Sequence, residues 1–174
     1  MIIIISCTNR KQSVSKKVSL YYQQLLTERG VNSRILDLEG LPIDFIHSAL
    51  YENSGKNPAF NQYQEIIDAH EKFVFVVPEY NGSFPGVLKT FIDGLRYPDS
   101  FRNKKAALVG LSSGMQGGAL ALSHLNDILS YLGTDVLGLR VKLHQIGANL
   151  ENGRISNKIF NQFIEQQIQK LLDF

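Results

Sequence analysis

Short apolar runs alternate along this chain with segments whose apolar residues return every three or four positions. Ile2 to Ile5 is the first run, and Val14, Val18, Tyr21, Tyr22 and Leu25 follow it at helical spacing until Gly30 stops the helix. Residues 33–38 and 73–77, rich in Val, Ile, Leu or Phe, read as the second and third strands. After Pro85, the positions Leu88, Phe91, Ile92 and Leu95 fit i, i+3, i+4, i+7. A fourth strand is predicted over 106–111, then a helix marked by Leu122, Leu125, Leu129 and Leu132, then a fifth strand within 135–143. A closing helix over 155–172 carries Phe160, Ile164, Ile168 and Leu171 on one face.

Strands that are apolar on both faces and alternate with helices belong to a parallel sheet covered on each side. Five of them in 174 residues predict one α/β domain over 1–174, a three-layer doubly wound fold. The irregular link is 41–60, where Pro, Asn, Ser and Gly interrupt the apolar residues; a short helix and a long loop are expected there.

Composition narrows the class without naming a function. The 44% hydrophobic and 20% charged residues are those of a globular domain, and a formal charge of +2 excludes the basic field of a nucleic-acid binder; the loose group Arg10, Lys11, Lys16 and Lys17 reads as a local anion site instead. Cys7 is the only cysteine, so no disulfide can close within the chain, and a reducing, cytoplasmic compartment is expected. No run approaches the ~18 apolar residues of a membrane span.

In open parallel sheets, ligands bind beyond the carboxyl ends of the strands. The loops after strands one, three and four are therefore predicted to share a crevice: SCTNRKQSVS (6–15), PEYNGSFPG (78–86) and SSGMQGG (112–118). In the first loop Ser6, Thr8, Asn9, Arg10, Ser13 and Ser15 put hydroxyls, a guanidinium and free N–H groups at a helix start, which suits a phosphate monoester. Ser13 or Ser15 would equally serve as a plain helix cap. In the second loop Asn81-Gly82 supply positive φ, so the main chain can approach a flat ligand beside Tyr80, while Ser83 and Pro85 open the next helix. The third loop removes side chains at Gly114, Gly117 and Gly118.

Other chemistries fail on spacing. Neither G-x-G-x-x-G nor G-x-x-x-x-G-K-[ST] is present. A cysteine phosphatase of the low-molecular-weight type needs Cys-x5-Arg, and here Ser13 occupies the arginine's place, which leaves Cys7 a packing residue. The four histidines, 47, 70, 124 and 144, show no metal spacing, and His124 with Asp127 reads as a surface pair on one helix face.

PEYNGSFPGVLKTFID resembles the signature of the NAD(P)H-dependent FMN reductase family, which has a flavodoxin-like fold and includes quinone, azo-dye and chromate reductases. TNRKQSVS resembles that family's phosphate loop and SSGMQGG its third flavin loop, in the same order along the chain. The resemblance implies a five-stranded sheet of order 2-1-3-4-5 and an FMN cofactor reduced by NADPH or NADH. It implies that Arg10, Ser13 and Ser15 hold the phosphate with Thr8 or Ser6 assisting. Pro78, Glu79, Tyr80, Asn81 and Gly82 would line the ring, and Ser112, Ser113, Gly114 and Gln116 would close the ribityl side. It further implies a small-molecule oxidant, no essential acid or base, and a homodimer or homotetramer. The helix 87–95, Arg96-Tyr97-Pro98 and segment 41–60 are the candidate contact surface, and their apolar residues would equally serve as core. Two rivals would share fold and cofactor: an electron carrier of the flavodoxin type, though such carriers tend to be markedly acidic and this chain is at +2, and a non-catalytic flavin-binding partner protein, which would keep the loops with the flavin face blocked.

Overall fold

Ile2–Ser6 (β1) is buried along its whole length, as a central strand flanked on both faces must be. In the computed structural model, which describes residues 1–174, β1 pairs in parallel with Ser33–Asp37 (β2) on one side and Lys72–Pro78 (β3) on the other. Lys105–Leu111 (β4) pairs with β3, and Asp135–Val136 (β5) with β4, giving the order β2-β1-β3-β4-β5 that the family resemblance implies.

The fifth position is not one continuous strand. Val141–Leu143 (β6) also pairs with β4, and residues 137–140 leave the ladder around the exposed Gly138. The amide of Gln167, fully buried, fills the break: its Nε2 donates to Leu108 O at 3.0 Å and to Leu139 O at 2.8 Å. A buried carbonyl without a strand partner needs such a donor, and an interrupted edge is tolerable once one is supplied.

Alternation along the strands divides the core in two. Ile3, Ile5, Phe73, Phe75, Val77 and Leu108 face Pro58–Asp68 (α3), Gly86–Gly94 (α4) and Ala119–Tyr131 (α5), while Ile2, Ile4, Val74, Val76 and Val109 face Val14–Glu28 (α1) and Lys158–Asp173 (α6). The predicted faces of α4, α5 and α6 are the buried ones, Leu88, Phe91, Ile92, Leu122, Leu125, Leu129, Phe160, Ile164, Ile168 and Leu171 among them. No helix is long and apolar enough to cross a membrane.

Segment 41–60 contains the expected short helix, Phe45–Ser48 (α2), but the long loop ends at Asn57. Asn57 Oδ1 accepts the Phe60 N–H at 3.0 Å and Pro58 takes the first helical turn, so the same Asn and Pro that read as loop are the start of α3. Phe45, Ala49, Leu50 and Phe60 join the core instead of forming a free surface. A small antiparallel hairpin, Leu150–Glu151 (β7) with Arg154–Ile155 (β8), stands between β6 and α6, and the closing helix begins after it, at Lys158.

Register brings the strand ends together. Ser6 pairs with Val76, Pro78 with Leu111, and Leu111 with Leu143. The chain leaving β1, β3, β4 and β6 therefore emerges at one sheet edge.

Candidate functional site

At that edge lies a cleft of about 490 Å³, lined by Thr8, Arg10, Lys11, Gln12, Ser13, Val14, Ser15, Pro78, Glu79, Tyr80, Leu111, Ser112, Ser113, Ile146 and Gly147. A smaller recess of about 190 Å³ adjoins it across Glu79 and Ser112 and is lined also by Gly82, Gly114, Met115, Gln116, Gly118, Ala119 and Leu120.

One end of the cleft is built from side-chain oxygens and cations. Ser13 is the N-cap of α1, and its Oγ accepts the Lys16 N–H and the Ser15 hydroxyl, each at 3.1 Å. Both lone pairs of Ser13 are thereby used and its own proton is left to donate. Capping and anion binding are thus compatible at this residue, not alternatives. Thr8 Oγ1 accepts the Arg10 backbone N–H at 3.3 Å and lies 2.8 Å from the Tyr80 hydroxyl, which spans from the second loop. The chain's ion pairs join Lys16 to Asp37 and Glu39, Arg29 to Glu165, Lys89 to Asp93 and Arg96 to Asp68. Arg10 and Lys11 are in none of them, so two exposed cations flank the helix start with no carboxylate partner.

Cys7 faces the other way. It is fully buried, its Sγ donates to Ile5 O at 3.2 Å, and burial pushes the thiol well above its ordinary range, with the Asp37 charge adding to the shift. A thiol held neutral is no nucleophile.

The other end is built from backbone. Tyr80 and Ser83 exchange N–H to O bonds of 2.7 and 3.0 Å across a tight turn whose central residues, Asn81 and Gly82, have φ of 51° and 80°. Glu79 Oε1 accepts the Gly82 N–H at 2.6 Å, which commits the cleft's one carboxylate to holding this turn. His124 does not pair with Asp127: its Nδ1 lies 2.9 Å from Ser83 Oγ and ties α5 to the same turn. α4 then starts at Pro85 with no side-chain cap.

In the third loop Ser112 Oγ accepts the Gly117 N–H and donates to Gly114 O, both at 3.0 Å. Gly117, at φ 58°, packs so tightly that a Cβ would come within 2.8 Å of the Lys142 carbonyl carbon. By contrast a Cβ on Gly82 or Gly114 would meet nothing within 4 Å, because both border the open recess.

The structure brings Thr8, Arg10, Ser13, Ser15, Pro78, Glu79, Tyr80, Ser112 and Ser113 to the cleft, and Gly82, Gly114 and Gln116 to the recess. Ser6 and Asn81 line neither; Ser6 is fully buried beneath the first loop with its hydroxyl unpaired. Of the basic group 10, 11, 16 and 17, Lys11 joins Arg10 in the cleft; sequence reasoning missed the short helical turn Ile146–Ala148, which is zipped to the third loop by Gln145 N–H to Gly114 O and Ile146 N–H to Ser112 O. Gly147 offers no side chain and left no signal.

The donor set fits the phosphate of FMN: hydroxyl protons, two unpaired cations and the positive end of a helix, within one cleft whose far end is flat backbone.

Residues 1–146 match the model of the family described as NADPH-dependent FMN reductase. An NAD(P)H-dependent FMN reductase of Pseudomonas aeruginosa is 32% identical over 150 residues, 84% of this chain and 80% of that protein. A 2-hydroxy-1,4-benzoquinone reductase of a Burkholderia species is 31% identical over 134 residues, 75% of this chain and 70% of that protein. Among solved structures, FerB, a flavoenzyme NAD(P)H:(acceptor) oxidoreductase from Paracoccus denitrificans, superposes with a TM-score of 0.82 at 23% identity, covering 99% of this chain and 94% of that one.

Proposed function

This chain belongs to the NADPH-dependent FMN reductase family, flavin-dependent oxidoreductases acting on small-molecule oxidants, and from that premise we propose that it is an NAD(P)H:quinone oxidoreductase. FMN would lie with its phosphate among Thr8, Arg10, Lys11, Ser13 and Ser15 and its ring beside Pro78 to Gly82 and the recess. The observation that carries this reading is the polarity of the cleft: unpaired cations and hydroxyl protons at one end, glycine-rich backbone at the other.

Bound FMN supplies the two-electron chemistry between nicotinamide and oxidant. The chain's own residues bind, orient and shield. Arg10 and Lys11 offset the phosphate charge, and each charge-assisted hydrogen bond contributes roughly 1.5–3 kcal/mol. The Glu79–Gly82 bond fixes the ring-side turn, and Ser112 fixes the loop opposite. No histidine or lysine lines the recess, its one carboxylate holds the Gly82 N–H, and His124 reaches the ring-side turn through Ser83.

The rim supports a quinone as the oxidant. Met115, Leu120 and Tyr80 are 70%, 50% and 36% exposed beside the recess, an apolar edge with no cation, which favours a planar quinone over a metal oxyanion. Two of the chain's relatives support it by their names, a benzoquinone reductase and an NAD(P)H:quinone oxidoreductase of Solanum tuberosum. The contact surface of a homodimer would include Ile43, Tyr51 and Tyr97, which are 103%, 78% and 70% exposed around segment 41–60 and the end of α4.

The test is anaerobic addition of NADPH, then NADH, to FMN-loaded protein, following flavin absorbance at about 450 nm. Rapid bleaching and a higher kcat/KM for benzoquinone than for chromate support the proposal. Protein that stays yellow with both nucleotides is a carrier, and a preference for chromate overturns the quinone assignment.

A further inference from the structure

The Tyr80 hydroxyl lies at the phosphate end of the cleft although Tyr80 belongs to the ring-side turn. It sits 2.8 Å from Thr8 Oγ1, a side chain that is 1% exposed, while Tyr80 itself is 36% exposed. Thr8 Oγ1 has two lone pairs and one proton. The Arg10 N–H occupies one lone pair at 3.3 Å. If Thr8 donated to Tyr80, its proton would be spent on a neutral oxygen within reach of water, and the loop would offer one donor fewer. If Tyr80 donates instead, both lone pairs of Thr8 are filled and its proton is free for an acceptor in the cleft. Ser13 has that pattern already, its two lone pairs taken by Lys16 N–H and Ser15 O–H.

We infer that Tyr80 is a positioning residue for the phosphate: its O–H donates to Thr8 Oγ1, which directs the Thr8 proton to a bound phosphate and couples the first loop to the second. This rests on the FMN reading of the cleft. It assigns to a ring-side residue a share of phosphate affinity that contact with the ring alone would not produce. Each O–H donating into an oxygen that itself donates strengthens the next bond, so the chain Tyr80, Thr8, phosphate is worth more than its links taken singly.

The experiment measures Kd by quenching of flavin fluorescence for FMN and for riboflavin, which keeps the ring and ribityl chain and lacks the phosphate. It uses wild type, Y80F, T8V, T8S and Y80F/T8V. Tyr80→Phe keeps the aromatic face on an exposed residue, so the fold is not at risk, and T8S keeps the hydroxyl if T8V packs poorly. Y80F is expected to weaken FMN about three- to tenfold, the range of one hydrogen bond, and to leave riboflavin unchanged. T8V should weaken FMN at least as much, T8S should retain wild-type affinity, and Y80F added to T8V should cost nothing more.

Equal weakening of FMN and riboflavin by Y80F reduces Tyr80 to a ring contact and overturns the inference. So does an unchanged FMN affinity, or full additivity of Y80F with T8V. Wild-type protein that binds neither flavin overturns the FMN reading itself, a result distinct from all of these.

Discussion

The two ends of the cleft use the same polypeptide in opposite ways. Between Thr8 and Ser15 the ligand-facing chemistry is carried by side chains: the hydroxyls of Thr8 and Ser13, with Ser15 donating to Ser13 behind them, and two unpaired cations. Between Glu79 and Ser83, and again from Ser112 to Gly118, side chains serve mainly to hold the backbone, as Glu79 does for Gly82 and Ser112 for Gly117. A charged, tetrahedral group needs protons and positive charge delivered from several directions, which flexible side chains supply. A flat, largely neutral ring needs a surface that comes close, which only a main chain stripped of Cβ atoms supplies. The two ends should therefore fail differently when mutated, one in affinity and the other in stability.

The largest effect is expected at the backbone end. Gly117→Ala puts a Cβ 2.8 Å from the Lys142 carbonyl carbon at φ 58°, so β6 or the third loop must move. A loss of about 3 kcal/mol in urea unfolding is expected, combining left-handed strain with a clash against backbone. Riboflavin and FMN should both bind worse. An alanine tolerated without loss would mean that the loop is mobile and that the contrast between the ends is overstated.

At the side-chain end the complementary result is expected. Arg10→Ala removes an exposed side chain with no partner in the protein, so stability should change by less than about 0.5 kcal/mol. FMN affinity should fall about ten- to hundredfold, one charge-assisted bond, with riboflavin unaffected. Unchanged FMN affinity would place the phosphate elsewhere.

The contrast also explains what could be read from the sequence. β1 to β4, the buried faces of α4, α5 and α6, and the three crevice loops were all legible, because apolar runs and side-chain chemistry are written in residue types. α3 was hidden behind Asn57 and Pro58, which punctuate loops and open helices alike. The break between β5 and β6 depends on Gln167 donating to Leu139, 28 residues away, and to Leu108, 59 residues away, long-range contacts without local signal. Ser6 and Thr8 look equivalent as letters, yet strand register turns Ser6 inward and leaves Thr8 in the cleft. Gly147 contributes only backbone at the lip, which no side-chain pattern announces.

A smaller effect should combine both behaviours in one residue. Ser13 caps α1 and has a proton to spare. Ser13→Ala should lower stability by about 1 kcal/mol, as a lost cap does, and weaken FMN severalfold with riboflavin spared. Loss of stability alone would make Ser13 only a cap; loss of affinity alone would mean that the Lys16 N–H finds another acceptor.

Cys7 is the exception within the side-chain loop, since its thiol faces the core, and it gives the weakest effect. Burial raises its folded pKa above the unfolded value. Below the ordinary thiol range, about 8.5, both states keep the proton and the packing contribution is intact. As pH rises from there towards the raised folded value, only the unfolded chain ionises, so stability declines; Tyr22, whose hydroxyl burial also pushes upward, extends the decline at higher pH. Cys7→Ala should flatten the first part of that slope in urea midpoints taken between pH 7 and about 10. Alkylation of native protein should proceed only through opening, on the order of 10⁻³ of a free thiol's rate or slower. Fast alkylation that FMN blocks would instead put a thiolate in the cleft, and the loop's chemistry would no longer be oxygen and guanidinium alone.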